Sequence, residues 1–307
     1  MPGIPSGLSG IFFDAMKSLF TKQYAWSCLV LFILGGTFLS GCKSTDIVVP
    51  LKVQPRTGLR VAFDSFINVH YDKNRTLSGW PTTCDAVEMT LKLWYEQVQV
   101  RQHIVDGTPS DLADFFSQLP GPEQCDISVV YLGSIQDIDG NWEFVNGTTA
   151  KLTDVLASAH LPQHPCRIVI LDTCHAATVG GDENWTRHFA AVTLLASGRM
   201  EKTYQFEPSA LAPIDVEKHY PKAWGWAQTY LRPDWKKQIS YLGLMWMETT
   251  ANTPVPPADT TSWRCFFEQC RNRGVTFRQV IGRRWGSQLQ SLTGSPEPPC
   301  LTNSGLP

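Results

Sequence analysis

The run Ile168-Val169-Ile170-Leu171-Asp172-Thr173-Cys174-His175-Ala176 decides the fold. Four aliphatic residues follow one another with no polar alternation, the pattern of a strand buried on both faces, and such strands belong to parallel sheets covered by helices on both sides. Working outward from it, Ile127 to Gly133 holds a second run of this kind around Val129-Val130-Tyr131, and Lys151 to Ala159 between the two has a helical pattern. Further upstream, Leu59 to Phe63 reads as a strand, Cys84 to Gln97 as a helix and Val98 to Ile104 as a strand. Pro109-Ser110-Asp111 then opens a helix through Leu119. Strand and helix alternate throughout, which predicts an α/β domain with a doubly wound, mostly parallel sheet of five or six strands and helices on both faces.

The domain is expected over residues 58–290. Residues 199–240 read as a long loop or insertion, rich in prolines and lysines, with Trp224, Trp226 and Trp235 among them. Ile239 to Glu248 suits a helix or a strand, Thr261 to Cys270 and Thr276 to Leu289 read as two helices, and 291–307 as a flexible tail. The chain has 307 residues, 43% hydrophobic and 18% charged, enough to bury a full core. Its formal net charge of -2 provides no field of one sign to attract nucleic acid.

Groups that carry chemistry in a parallel sheet gather beyond the carboxyl ends of its strands. The strand at 168–171 delivers Asp172, Cys174 and His175 to that edge. A free thiol has a pKa near 8.5 and needs a base or a positive environment to become a good nucleophile. His70, His103 and His175 fall in loops or at strand ends. Asp137 and Asp139 precede Gly140 and read as turn residues, without the carboxylate spacing of a calcium loop, so neither metal nor cofactor is expected. Cys125 and Cys166 each stand two positions before the first apolar residue of a strand. If those strands are neighbours, equal offsets suggest a disulfide closing about 40 residues, which would contribute roughly 3 to 4 kcal/mol. Cys84, Cys265, Cys270 and Cys300 cannot be paired from sequence.

The aliphatic strand ending in Asp172-Thr173-Cys174-His175-Ala176 resembles the nucleophile strand of caspase-like peptidases and metacaspases. Upstream, Tyr131-Leu132-Gly133-Ser134-Ile135, followed by the acidic turn Gln136 to Gly140, occupies the slot of the family's tyrosine-serine-glycine-histidine-glycine motif. Asp85-Ala86 and Ala196-Ser197-Gly198-Arg199 extend the resemblance over residues 59 to about 199. By this correspondence Cys174 takes the place of the nucleophile, Asp172 that of an acidic residue lining a pocket for a basic side chain, and Ser134 that of the general base. A serine hydroxyl cannot take up a proton near neutral pH, and loss of a positioned base costs about 10²- to 10⁴-fold in rate. The resemblance therefore implies a catalytically impaired peptidase that binds a peptide or partner protein. Its alternatives are an active cysteine endopeptidase with a non-standard base, in which His175 is one possibility, and a structural envelope scaffold.

Residues 1–41 have the order of an export signal: Lys17 and Lys22 precede the uncharged apolar run Ala25 to Leu39, shorter than the roughly 20 residues of a membrane-spanning helix. Leu39-Ser40-Gly41-Cys42 resembles the bacterial lipobox. That resemblance implies cleavage before Cys42, lipidation of its thiol, and a tether over 42–57 holding the domain at the cell envelope, on the outer membrane facing the periplasm or the surface. Acyl chains at about 0.8 kcal/mol per buried methylene make such an anchor durable.

Overall fold

Parallel strands with helices packed on both of their faces make up the molecule. The computed structural model describes residues 53–69, 71–72, 75–76, 79–200, 205–206, 216–232, 239–281 and 289–293. The signal, Cys42, most of the tether and nearly all of the C-terminal tail lie outside the described residues. Among the described residues no helix is long and apolar enough to cross a membrane.

The chain begins with β1 (Arg56–Ile67), the two-residue strands β2 (Tyr71–Asp72) and β3 (Arg75–Thr76), α1 (Gly79–Trp94) and β4 (Tyr95–Val105). Next come α2 (Pro109–Ser117), β5 (Ile127–Ser134), the hairpin of β6 (Asn141–Glu143) and β7 (Thr149–Lys151), α3 (Leu152–Ser158) and β8 (Arg167–Thr173). A 3-10 turn (Ala176–Gly181) and a π turn (Trp185–Phe189) lead to β9 (Val192–Leu195). The remainder comprises β10 (Gln205–Phe206), α4 (Val216–His219), α5 (Pro221–Tyr230), β11 (Ile239–Ser240), α6 (Tyr241–Thr250), α7 (Thr260–Ile281) and β12 (Gln290–Thr293).

Six strands form the main sheet in the order β12-β9-β8-β5-β1-β4. The five central and right-hand members, from β9 to β4, run parallel, and β12 closes one edge antiparallel to β9. This is the mostly parallel α/β sheet expected from the sequence. Alternate residues of β5 and β8 feed two cores. Val129, Tyr131, Ile168 and Ile170 face α1, α5, α6 and α7, where Trp94, Trp246, Trp263 and Phe266 pack ring against ring. Val130, Leu132, Val169 and Leu171 face α2, α3 and the two turns. Strands loaded on both faces have no polar alternation, which explains the uninterrupted apolar runs.

Local signals account for individual boundaries. Thr108 caps α2: its hydroxyl accepts from the Asp111 N–H while the Asp111 carboxylate accepts from the Thr108 N–H, a complete capping box with Pro109 in the first turn. At the amino end of the sheet, the fully buried guanidinium of Arg167 donates to the carbonyls of Pro120 and Pro162, 2.8 Å each. It thereby ties together the loops that enter β5 and β8.

Several expectations are corrected. The segment read as a loop or insertion over 199–240 contains a ten-residue helix, α5, whose Ala223 and Trp226 enter the core. The two helices expected over 261–270 and 276–289 are joined, since α7 runs unbroken from Thr260 through Gly274 to Ile281, and residues 282–288 lie outside the described residues. The disulfide between Cys125 and Cys166 is absent; both are free thiols. The reason is register. Ser128 is level with Arg167, an offset of 167 − 128 = 39, so Cys125 falls beside His164 and Cys166 beside Ile127. The Cys125 Sγ lies 3.5 Å from His164 Nε2. His164 Nδ1 accepts from the Cys166 N–H at 3.1 Å, so its Nε2 carries the proton and donates to the Cys125 carbonyl, also at 3.1 Å. That imidazole is a structural link and not a base for the thiol.

Candidate functional site

Strand pairing brings three of the residues singled out in the sequence to one place. In the β5–β8 register Gly133 is level with Asp172 and Ser134 with Thr173. Cys174 therefore leaves the sheet one residue beyond Ser134, on the adjacent strand, at the carboxyl edge. It is partly exposed and forms no disulfide.

The loop that carries it is held from two sides. Ser197, just past β9, donates its hydroxyl to the Thr173 carbonyl and accepts the Ala176 N–H, both at 2.9 Å, and so brackets Cys174 and His175. Gln136, just past β5, donates to the His175 carbonyl at 3.1 Å and to the Thr178 hydroxyl at 2.7 Å. Its own carbonyl oxygen accepts from the indole of the buried Trp142 at 2.9 Å. His175 adopts a left-handed conformation, φ 53, which is costly for a side chain with a β-carbon and persists where neighbours fix it. Gln136 and Ser197 are those neighbours. The His175 Nδ1 lies 2.9 Å from the Arg199 carbonyl. A carbonyl only accepts, so in the neutral ring the proton sits on Nδ1 and the Nε2 lone pair is left available.

Ser134 is fully buried. Its hydroxyl lies 3.4 Å from the carbonyls of both Ile135 and Glu143, so its one proton is directed at backbone oxygen on the side of the β6–β7 hairpin. Asp172 is buried on the opposite, α1-facing side, and Tyr131 donates to its Oδ2 at 2.8 Å. Its Oδ1 has no hydrogen-bond partner. Burial pushes the carboxyl up to about 6, and the Ser240 and Tyr131 hydroxyls offset only part of that rise.

Other sequence candidates lie elsewhere. His103 is on β4, three strands away from β8, where its Nδ1 pairs with the Ser65 hydroxyl at 2.7 Å. His70 and Cys42 lie outside the described residues. Cys125 and Cys166 sit at the opposite, amino edge. A cavity of about 390 Å³ also opens at that amino edge, lined by His164, Thr186, Arg187, His188 and Phe189, far from Cys174. Sequence reasoning missed Gln136, Ser197 and Trp80, which packs on Gly133. Gln136 and Ser197 stand inside stretches that the resemblance covers, but no spacing rule reveals hydrogen bonds made across strands.

No family model and no curated protein matches the sequence. Among solved structures the chain is similar to caspase-1 from Spodoptera frugiperda, with 9% identity and a TM-score of 0.44, over 79% of this chain and 88% of that one.

Proposed function

We propose that the protein is a membrane-tethered caspase-like module that binds a peptide or partner protein at the carboxyl edge of its sheet and has lost most of the peptidase chemistry of that site. The observation that carries this reading is Ser134. At the position where the sequence resemblance puts a general base stands a buried hydroxyl turned toward backbone carbonyls, and such a group does not accept a proton near neutral pH. The tether rests on the Leu39-Ser40-Gly41-Cys42 motif.

One feature favours a second reading, an active cysteine endopeptidase: with Nδ1 turned to the Arg199 carbonyl, Nε2 is the accepting nitrogen of the neutral His175 ring, in the residue next to Cys174. Iodoacetamide labelling of the full-length protein from pH 5 to 9, followed at Cys174 by mass spectrometry with Cys174→Ala as control, separates the two. Binding-module function is expected to give slow labelling that rises only toward the pKa of a free thiol, near 8.5. Fast Cys174-dependent labelling that persists well below pH 8 would overturn it in favour of an activated thiolate.

A further inference from the structure

The cavity of about 390 Å³ at the amino edge takes no part in the site around Cys174, from which the whole of β8 separates it. Its size falls within the roughly 300–1,000 Å³ of small-molecule pockets. Part of its wall is apolar: Phe189, Ala190 and Ala191 at the end of the π turn, with Pro122 and Pro165 in the loops that enter β5 and β8. Turns of this kind are rare and recur at functional sites. The wall is also pinned before any ligand arrives. His164 Nε2 donates to the Cys125 carbonyl and its Nδ1 accepts from the Cys166 N–H, while Arg167 bonds the carbonyls of Pro120 and Pro162.

Charge around the cavity is mostly of one sign. Among its described lining residues none is acidic, whereas Arg187 and His188 are exposed there and Gln163 and Thr186 add uncharged donors. Behind Phe189 lies the fully buried Arg167, its guanidinium 6.0 Å from the ring centroid. The groups that bond it are the two carbonyls and the Ser128 hydroxyl, all neutral, and Asp64 acts on it through space. Two carboxylates stand nearby. Glu183 pairs with Arg187 at 3.4 Å, but these side chains are 76% and 66% exposed, and such a pair contributes little. Glu123 influences His164, yet its carboxylate lies against Gly121.

We propose that this cavity binds a small organic acid, its carboxylate taken by Arg187 and His188 and its apolar body laid against Phe189, Ala190 and the two prolines. The guanidinium fork can bond both carboxylate oxygens at once. The apolar wall selects an acid with an aromatic or branched body over an inorganic anion. The site shares no residue with the edge that carries Cys174, so it stands whether or not that edge binds peptide.

Calorimetric titration of the full-length protein with 3-phenylpropanoate, with 3-phenylpropanamide, which has the same shape without the charge, and with inorganic phosphate tests this. The acid is expected to bind at least about tenfold more tightly than either of the others. Combining Arg187→Ala with His188→Ala should bring acid and amide within about twofold, and Cys174→Ala should change nothing. Should the double alanine variant not fold, Arg187→Gln with His188→Gln carries the same expectation. No binding of the acid, equal binding of acid and amide, phosphate binding as tight as the acid, or a folded double variant that keeps the preference overturns the proposal.

Discussion

Ser134 shows how little room one position can leave. Its side chain is fully buried between the β5 terminus and the β6–β7 hairpin, and its hydroxyl is held by two backbone carbonyls. An imidazole is several atoms larger, and overpacking of a well-filled site costs about 1–3 kcal/mol. Ser134→His is therefore expected to lower the urea midpoint and to leave cleavage of Arg- or Lys-containing peptides no higher than in the wild type. A stable variant that gains about 10²-fold or more in Cys174-dependent cleavage would show that a base alone is missing from an otherwise competent site. Ser134, Asp172 and Cys174 could be found in the sequence because each ends or follows an apolar run, and strand ends are where such runs stop. Trp80, Gln136 and Ser197 could not. Their roles depend on which strand lies beside which, information that no local pattern contains.

At the scale of elements, α1 and α6 pack through Trp94 and Trp246 and, in the first turn of α6, over a glycine. A β-carbon at Gly243 would fall 2.5 Å from Thr83 Oγ1 and 2.9 Å from both Thr83 Cγ2 and Ile239 Cγ1. Intrinsic helix propensity favours alanine over glycine by about 1 kcal/mol. The clash is with buried, hydrogen-bonded Thr83, so it outweighs propensity. Gly243→Ala is expected to destabilise by about 1–3 kcal/mol in urea unfolding, and a neutral or stabilised variant would mean that the two helices can separate freely. The capping box at Thr108 and the bare apolar runs of β5 and β8 made those elements legible from sequence. Elements fixed by distant partners were not. Glycine often marks a helix end, yet Gly274 lies inside α7, where a β-carbon would meet the Tyr241 hydroxyl at 2.8 Å, so its place is set by a distant side chain. The Cys125–Cys166 pairing failed for the same reason: equal offsets from apolar residues do not set register, and the β5–β8 ladder has an offset of 39 where the disulfide needed 166 − 125 = 41.

For the molecule as a whole, two carboxyls inside the fold favour the native state as pH falls below 6, against the opposite pull of His164, which burial lowers. Asp64 on β1 is fully buried, and burial raises it to about 6 against the opposing pull of Arg101 and of hydrogen bonds from Gln102. Asp172 is likewise raised to about 6 by burial. An unfolded aspartate titrates near 3.9, so the native state takes up protons more readily. The stability this contributes is full below the unfolded value and is lost as pH rises through 6. Asp111, held low by the Thr108 backbone, Asp126, held low by Arg60, and Asp259, held low by the Ser262 backbone, act in the opposite sense, and their contribution disappears in acid. The unfolding free energy is therefore expected to be about 1–3 kcal/mol higher near pH 5 than at pH 7.5. Urea midpoints measured across that range test it. A midpoint that stays flat or rises toward pH 7.5 would mean that both carboxylates are charged and compensated in the native state.

The antiparallel edge has a consequence for how the chain is made. β12 pairs Gln290 to Thr293 with Leu195 to Val192, so β9 gains its outer neighbour only from β12, the last of the described strands. The five parallel strands can assemble before residues 290–293 are made, but the sheet is sealed only once the ribosome has delivered them. Until then β9 is an open edge, and a chain stopped short of residue 290 keeps it open for any passing strand to join.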